Sequence, residues 1–130
     1  MTPPDIHIRT AEPSDIDQVG QLRAALWPAE SPAHLRAEAA RFLTEPRRGP
    51  GMMPEVVFVA ATMGSTPVLV GFAEVSRRLY AEGCESSPVG FLEGWYVVPE
   101  RRHEGIGRAL VAAAEGERDA PDEDVLDRAH

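Results

Sequence analysis

A strand that runs through a proline and a charged turn into a Gly-x-Gly helix start constrains this chain more than any other stretch. From Val89 to Leu110 it reads VGFLEGWYVVPERRHEGIGRAL. Val89, Phe91, Trp95 and Val97 alternate with Gly90, Leu92, Gly94, Tyr96 and Val98, the two-residue period of a strand. Glu93 interrupts an otherwise apolar face. Pro99 cannot donate to a ladder and predicts the strand's end. Glu100 to Glu104 make a charged turn, and Gly105-Ile106-Gly107 opens a helix with Ile106, Leu110, Val111 and Ala114 on its apolar side. A Gly-rich turn between strand and helix aims free backbone N–H groups at an anion, and the helix dipole adds roughly half a positive charge there. The expected ligand is therefore a phosphate. A P-loop would need Lys and Ser/Thr after the last Gly, where Arg108 and Ala109 stand. A dinucleotide fingerprint would need a third Gly, and Ala109-Leu110 follows instead.

The rest of the chain supplies a sheet for that stretch. Ile6, Ile8 and Thr10 alternate with His7 and Arg9 as a first strand. A helix is predicted from Pro13-Ser14-Asp15, with Ser14 as N-cap, and Ile16, Val19, Leu22, Arg23 and Leu26 on one face. Trp27-Pro28 ends it. Ser31-Pro32 starts a second helix with Leu35, Ala39, Phe42 and Leu43 on one side. Glu30, His34 and Glu38 face either a cleft or water. Pro46 to Pro54 reads as a loop. Val56 to Ala61 and Val68 to Ser76 read as an antiparallel hairpin, continued outward by Arg77 to Tyr80. The predicted order is βααβββα, an α+β domain.

Charge and cysteine content narrow the classes of function. Thirteen Lys+Arg against 21 Asp+Glu give a net charge of −8. A general nucleic-acid binder wants a basic face, so no nucleic acid is expected. The acidity suits a cationic ligand, though it also serves solubility alone. The single cysteine, Cys84, excludes an intrachain disulfide and reads as a spectator. No His/Cys ligand spacing predicts a metal. No membrane-length apolar run and no basic leader are visible, so a cytoplasmic protein is expected.

Arg102-His103-Glu104-Gly105-Ile106-Gly107 forms an R-x-x-G-x-G turn. With the preceding strand it resembles the acetyl-CoA pyrophosphate loop of the GCN5-related N-acetyltransferases. The stretch SSPVGFLEGWYVVPERRHEGIGRALVAAAE is similar to the aminoglycoside 6′-N-acetyltransferases within that superfamily. So is Gln21 to Trp27, with His34-Leu35 beyond it. The likeness runs from about Ile8 to Glu115. It implies an acyl-CoA N-acyltransferase fold with a mixed, mostly antiparallel sheet and flanking helices. It implies acetyl-CoA as donor, held by pantetheine pairing to the backbone of Trp95, Tyr96 and Val97. The pyrophosphate would lie in the turn made by Arg102, His103, Glu104, Gly105, Ile106, Gly107 and Arg108. It implies sugar contacts at Trp27 and Tyr80, although Trp27 equally suits core packing. Glu93 stands two residues before the coenzyme-pairing segment. It is the residue expected to bind the acceptor's ammonium or to take its proton through water.

The similarity fails after Glu115. Residues 119–130 read as an acidic tail behind a domain of residues 1–118 whose C-terminal strands are expected to be missing. Asp122 faintly matches the family's acceptor-site carboxylate. With one side of the central strand left open, a homodimer is expected. The leading reading is acetyl transfer from acetyl-CoA to the 6′-amine of a cationic aminosugar antibiotic, by direct attack in a ternary complex. The alternatives are an acetyltransferase for another small polyamine or a peptide amine, and a non-catalytic acyl-CoA-binding remnant of the fold.

Overall fold

Alternating apolar residues in the strands need cover on both faces of the sheet, and the helices supply it. The computed structural model describes residues 2–44, 56–78 and 89–118. In chain order these form β1 (Ile6–Thr10), α1 (Ile16–Leu26), α2 (Pro32–Thr44), β2 (Val56–Thr62), β3 (Leu69–Arg78), β4 (Val89–Val97) and α3 (Ile106–Arg118). The four strands lie in sequence order in one sheet. All described pairings are antiparallel. On one face, Ile106, Leu110 and Ala114 of α3 pack on Ile6, Phe58, Ala60, Val70, Ala73, Val75 and Val97. On the other, Val19 and Leu22 of α1 and Ala39 and Phe42 of α2 pack on Val57, Val59, Leu69 and Phe72. Among the described residues no helix is long and apolar enough to cross a membrane.

The start of α1 differs from expectation. Ser14 is exposed and is not the cap. Pro13–Asp15 forms a short 3₁₀ turn, and α1 begins at Ile16. Asp15, one residue further on, is buried. Its carboxylate accepts the Glu12 N–H at 2.8 Å and two bonds from the Arg9 guanidinium at 2.7 and 3.0 Å. A charge paired to β1 holds this corner better than a neutral hydroxyl.

The β3–β4 pairing carries the feature that matters for the site. Glu74 pairs with Gly94, but Val75 pairs with Leu92. Glu93 is the extra residue of a β-bulge, which re-aims a side chain and breaks strict alternation. The expected face of Phe91, Glu93, Trp95 and Val97 is therefore corrected at Glu93. Its side chain joins the α1/α2 side, while Trp95 and Val97 keep to the α3 side.

Candidate active site

Glu93 lines a cleft of about 350 Å³ together with Arg23, Trp27, Glu30, Leu35, Glu38, Arg41, Phe42 and Glu74. The bulge points Glu93 in from β4, α1 brings Arg23 and Trp27, and α2 brings Glu38 and Arg41. Arg23 and Glu74 are both buried and form an ion pair. Arg23 also meets Glu38 at 2.5 Å. Its guanidinium lies 5.0 Å from the centre of the Trp27 ring and 5.2 Å from that of Phe42. Burial pushes the Glu74 carboxyl above its ordinary value, and Arg23 offsets this only in part while Glu38 and Glu93 add repulsion. The cleft thus concentrates carboxylates, as a cationic ligand requires.

Trp27 packs on the core and also lines the cleft. Its ring meets Phe72 edge-on, 6.4 Å between centroids, and is half-buried at the cleft. A Cβ on Gly94 would stand 2.9 Å from the Trp27 ring, so glycine there lets the indole lie on the bulge. Glu30 and Glu38 face the cleft. His34 is exposed and reaches Glu38 at 3.4 Å.

Sequence reasoning missed Glu74 and the partnership of Arg23. The signal for Glu74 was present. It is the one charged residue within Leu69 to Ser76, an otherwise apolar strand stretch. A lone carboxylate in such a run needs a buried partner.

The other side of β4 holds the Gly-x-Gly turn. Trp95 is 47% exposed, and its Nε1 donates to the Gly107 carbonyl at 3.2 Å. A Cβ on Gly107 would lie 3.1 Å from that ring. His103 and Gly105 take positive φ, 67° and 93°, and roll the chain into the helix. The helical ladder starts with the Ala109 N–H bonding to the Gly105 carbonyl at 3.0 Å. The N–H groups of Ile106, Gly107 and Arg108 precede that ladder and have no intrahelical acceptor. His103, Glu104, Gly105, Gly107 and Arg108 line a concavity of about 620 Å³ with Trp95 and Val111. A second, of about 560 Å³, joins Trp95, Tyr96, Val97, Arg102 and His103 to the end of α1. Free N–H groups, glycine at the closest approach and two arginines fit a bound pyrophosphate.

Tyr96 departs from its expected role. A Cβ on Gly71 of β3 would stand 2.9 Å from the Tyr96 carbonyl oxygen, and the Val98 N–H bonds to Val70 at 2.9 Å. The Tyr96 backbone therefore faces β3. The backbone groups of Trp95 and Val97 alternate with it toward the outer edge. The Val97 carbonyl there accepts a bond from Arg102 Nε at 2.7 Å, and the Arg102 guanidinium lies 5.3 Å from the Tyr96 ring centre. Glu104 lines the first concavity while its carboxylate pairs with Arg101 at 2.9 Å, and Arg101 reaches Asp5 at 3.0 Å. Tyr80 and Asp122 lie outside the described residues. Among the described residues no cluster of three or more His, Cys, Asp or Glu would hold a metal ion.

The sequence and the fold match known proteins. The chain belongs to the acetyltransferase (GNAT) family, whose model matches residues 19–128. That match continues past Glu115. The chain is 42% identical over 108 residues to aminoglycoside N(6′)-acetyltransferase type 1 of Klebsiella aerogenes, covering 83% of this chain and 67% of that protein. To the Stenotrophomonas maltophilia enzyme of the same name it is 46% identical over 110 residues, covering 83% and 64%. The chain thus spans about two thirds of the length of these relatives. Among solved structures, AAC(6′)-Iy in complex with the bisubstrate analog CoA-S-monomethyl-acetylneamine superposes with a TM-score of 0.68. Its identity is 32%, with 88% of this chain and 73% of that one covered.

Proposed function

We propose that this protein transfers the acetyl group of acetyl-CoA to the 6′-amine of an aminoglycoside antibiotic. The observation that carries the reading is the bulge at Glu93. It turns a carboxylate into an acid cleft on one face of β4, while Trp95, two residues on, meets the coenzyme turn on the other. The similarity to aminoglycoside N(6′)-acetyltransferases supports the choice of acceptor.

Acetyl-CoA supplies an activated acetyl group and a thiolate leaving group. The chain's own residues hold the reactants. N–H groups of Ile106, Gly107 and Arg108 bind pyrophosphate oxygens, with Arg108 and His103 beside them. Outward backbone groups of Trp95 and Val97 align the pantetheine. Trp27 and, outside the described residues, Tyr80 and Asp122 bind the sugar. Glu93 binds the reacting ammonium and takes its proton, directly or through water, leaving a neutral amine to attack. Fixing amine and carbonyl in one geometry replaces a bimolecular encounter. The reading further takes the protein to be a homodimer in the cytoplasm. Leu92, exposed on β4, supports self-association.

Initial rates with both substrates varied test the reading. A kanamycin-type acceptor should give intersecting lines, as a ternary complex requires, and a spermidine-type acceptor little turnover. A preference for spermidine would move the protein to the polyamine class. No turnover with either would favour a non-catalytic acyl-CoA-binding protein.

A further inference from the structure

We propose that Arg23 determines acceptor specificity: its guanidinium is a built-in cation that neutralises Glu74 and Glu38 inside the acid cleft and sets how many ammonium groups the cleft accepts. The inference rests on the acetyltransferase reading above. Arg23 belongs to α1, but its two ion-pair partners come from β3 and α2. Trp27 and Phe42 enclose it, and it is 5% exposed. Its Nε is buried with no hydrogen-bond partner. A guanidinium keeps its charge even when enclosed, so this cation is a fixed part of the cleft and cannot turn out to solvent.

Among the described lining residues, Glu30, Glu38, Glu74 and Glu93 stand against Arg23 and Arg41, a formal excess of two negative charges. Arg23 meets two of the four carboxylates in the way a substrate ammonium would. It sits where an additional amino group of a more highly charged acceptor would otherwise bind. Removing it adds one negative charge to the cleft and exposes the carboxylates it had covered. Acceptors with more ammonium groups gain most from that change. A residue that acted only as a strut between α1, α2 and β3 would alter the binding of all acceptors alike.

The single variant Arg23→Met would strand the buried Glu74 carboxylate and threaten folding. The comparison is therefore made between Glu74→Gln and the double variant Glu74→Gln/Arg23→Met, which differ only at Arg23. Dissociation constants of a diamine, a triamine and a pentamine aminoglycoside are measured by calorimetry, with circular dichroism as the check on folding. The preference for the pentamine over the diamine should rise about tenfold in the double variant, the scale of one added charge in a partly shielded cleft. Arg23→Lys, which keeps the charge and loses the planar stacking, should retain the wild-type preference. An equal preference in the two Glu74→Gln proteins, or its loss in Arg23→Lys, would overturn the proposal. Binding is read without turnover. A selectivity shift without acetyl transfer would sink the acetyltransferase reading and leave the role of Arg23 standing.

Discussion

Asp15 and Glu74 are both buried carboxylates facing an arginine, yet their pKa values move in opposite directions. Burial alone would raise Asp15, but two bonds from Arg9 and the Glu12 N–H outweigh it and hold the group below its ordinary value. Glu74 shares one arginine with Glu38 and feels the charges of Glu38 and Glu93, so burial wins and its value rises. The consequences for stability have opposite signs. Asp15 contributes stability that is present above its unfolded pKa and lost as pH falls through the lowered folded value. Glu74 stabilises the folded state below its unfolded pKa, and that contribution disappears as pH rises through the raised value. Asp15→Asn should therefore cost about 2 kcal/mol at neutral pH, the scale of hydrogen bonds to a charged group. The difference from wild type should shrink below about pH 4, the ordinary carboxylate range. Denaturant midpoints recorded from neutral to acid pH check this; a difference constant with pH would deny Asp15 its charge-based role. Glu93 belongs to the same scale. Glu93→Gln should lower turnover on the order of 10²-fold or more and leave acetyl-CoA affinity nearly unchanged. Equal losses in both, together with lower stability, would make Glu93 a structural residue.

The strand, turn and helix around Pro99 form the element on which both clefts depend. Much of it was legible. The apolar period of β4, the stop at Pro99 and the glycines flanking Ile106 are local signals, and each marks a boundary that the structure keeps. The side on which Glu93 lies was not legible, because a bulge is a relation between two strands and the offset appears only against Glu74 and Val75 of β3. The inward turn of the Tyr96 backbone was hidden for the same reason. The start of α1 misled because Ser14 is a good cap by type, while the residue one further on could also reach Arg9. The coenzyme turn is testable as a unit. Gly107→Asp sets a carboxylate beside the expected pyrophosphate and crowds Trp95, whose ring lies 3.1 Å from the added Cβ position. Acetyl-CoA binding should be abolished while the circular dichroism spectrum is kept. Unchanged affinity by calorimetry would remove this turn from the site.

At the scale of the whole molecule, the sheet is a partition. The α1/α2 face carries the acids, and the α3 face carries the Gly-x-Gly turn. Among the described residues the two approach one another at β4, and there the strand is bulged. The proposed donor side is made of contiguous residues, which a sequence pattern can display directly. The proposed acceptor side is assembled from α1, α2, β3 and β4, so its network from Arg23 to Glu74 spans 51 positions and left only single-residue traces. The proposed cooperation of these faces ends in acetylation of one amine. Its most direct test is acetyl transfer from isotopically labelled acetyl-CoA to a kanamycin-type acceptor, with the product read by NMR. A single amide at the 6′ nitrogen is expected. Label on a different amine, or no labelled product from a folded protein that binds both ligands, would contradict it.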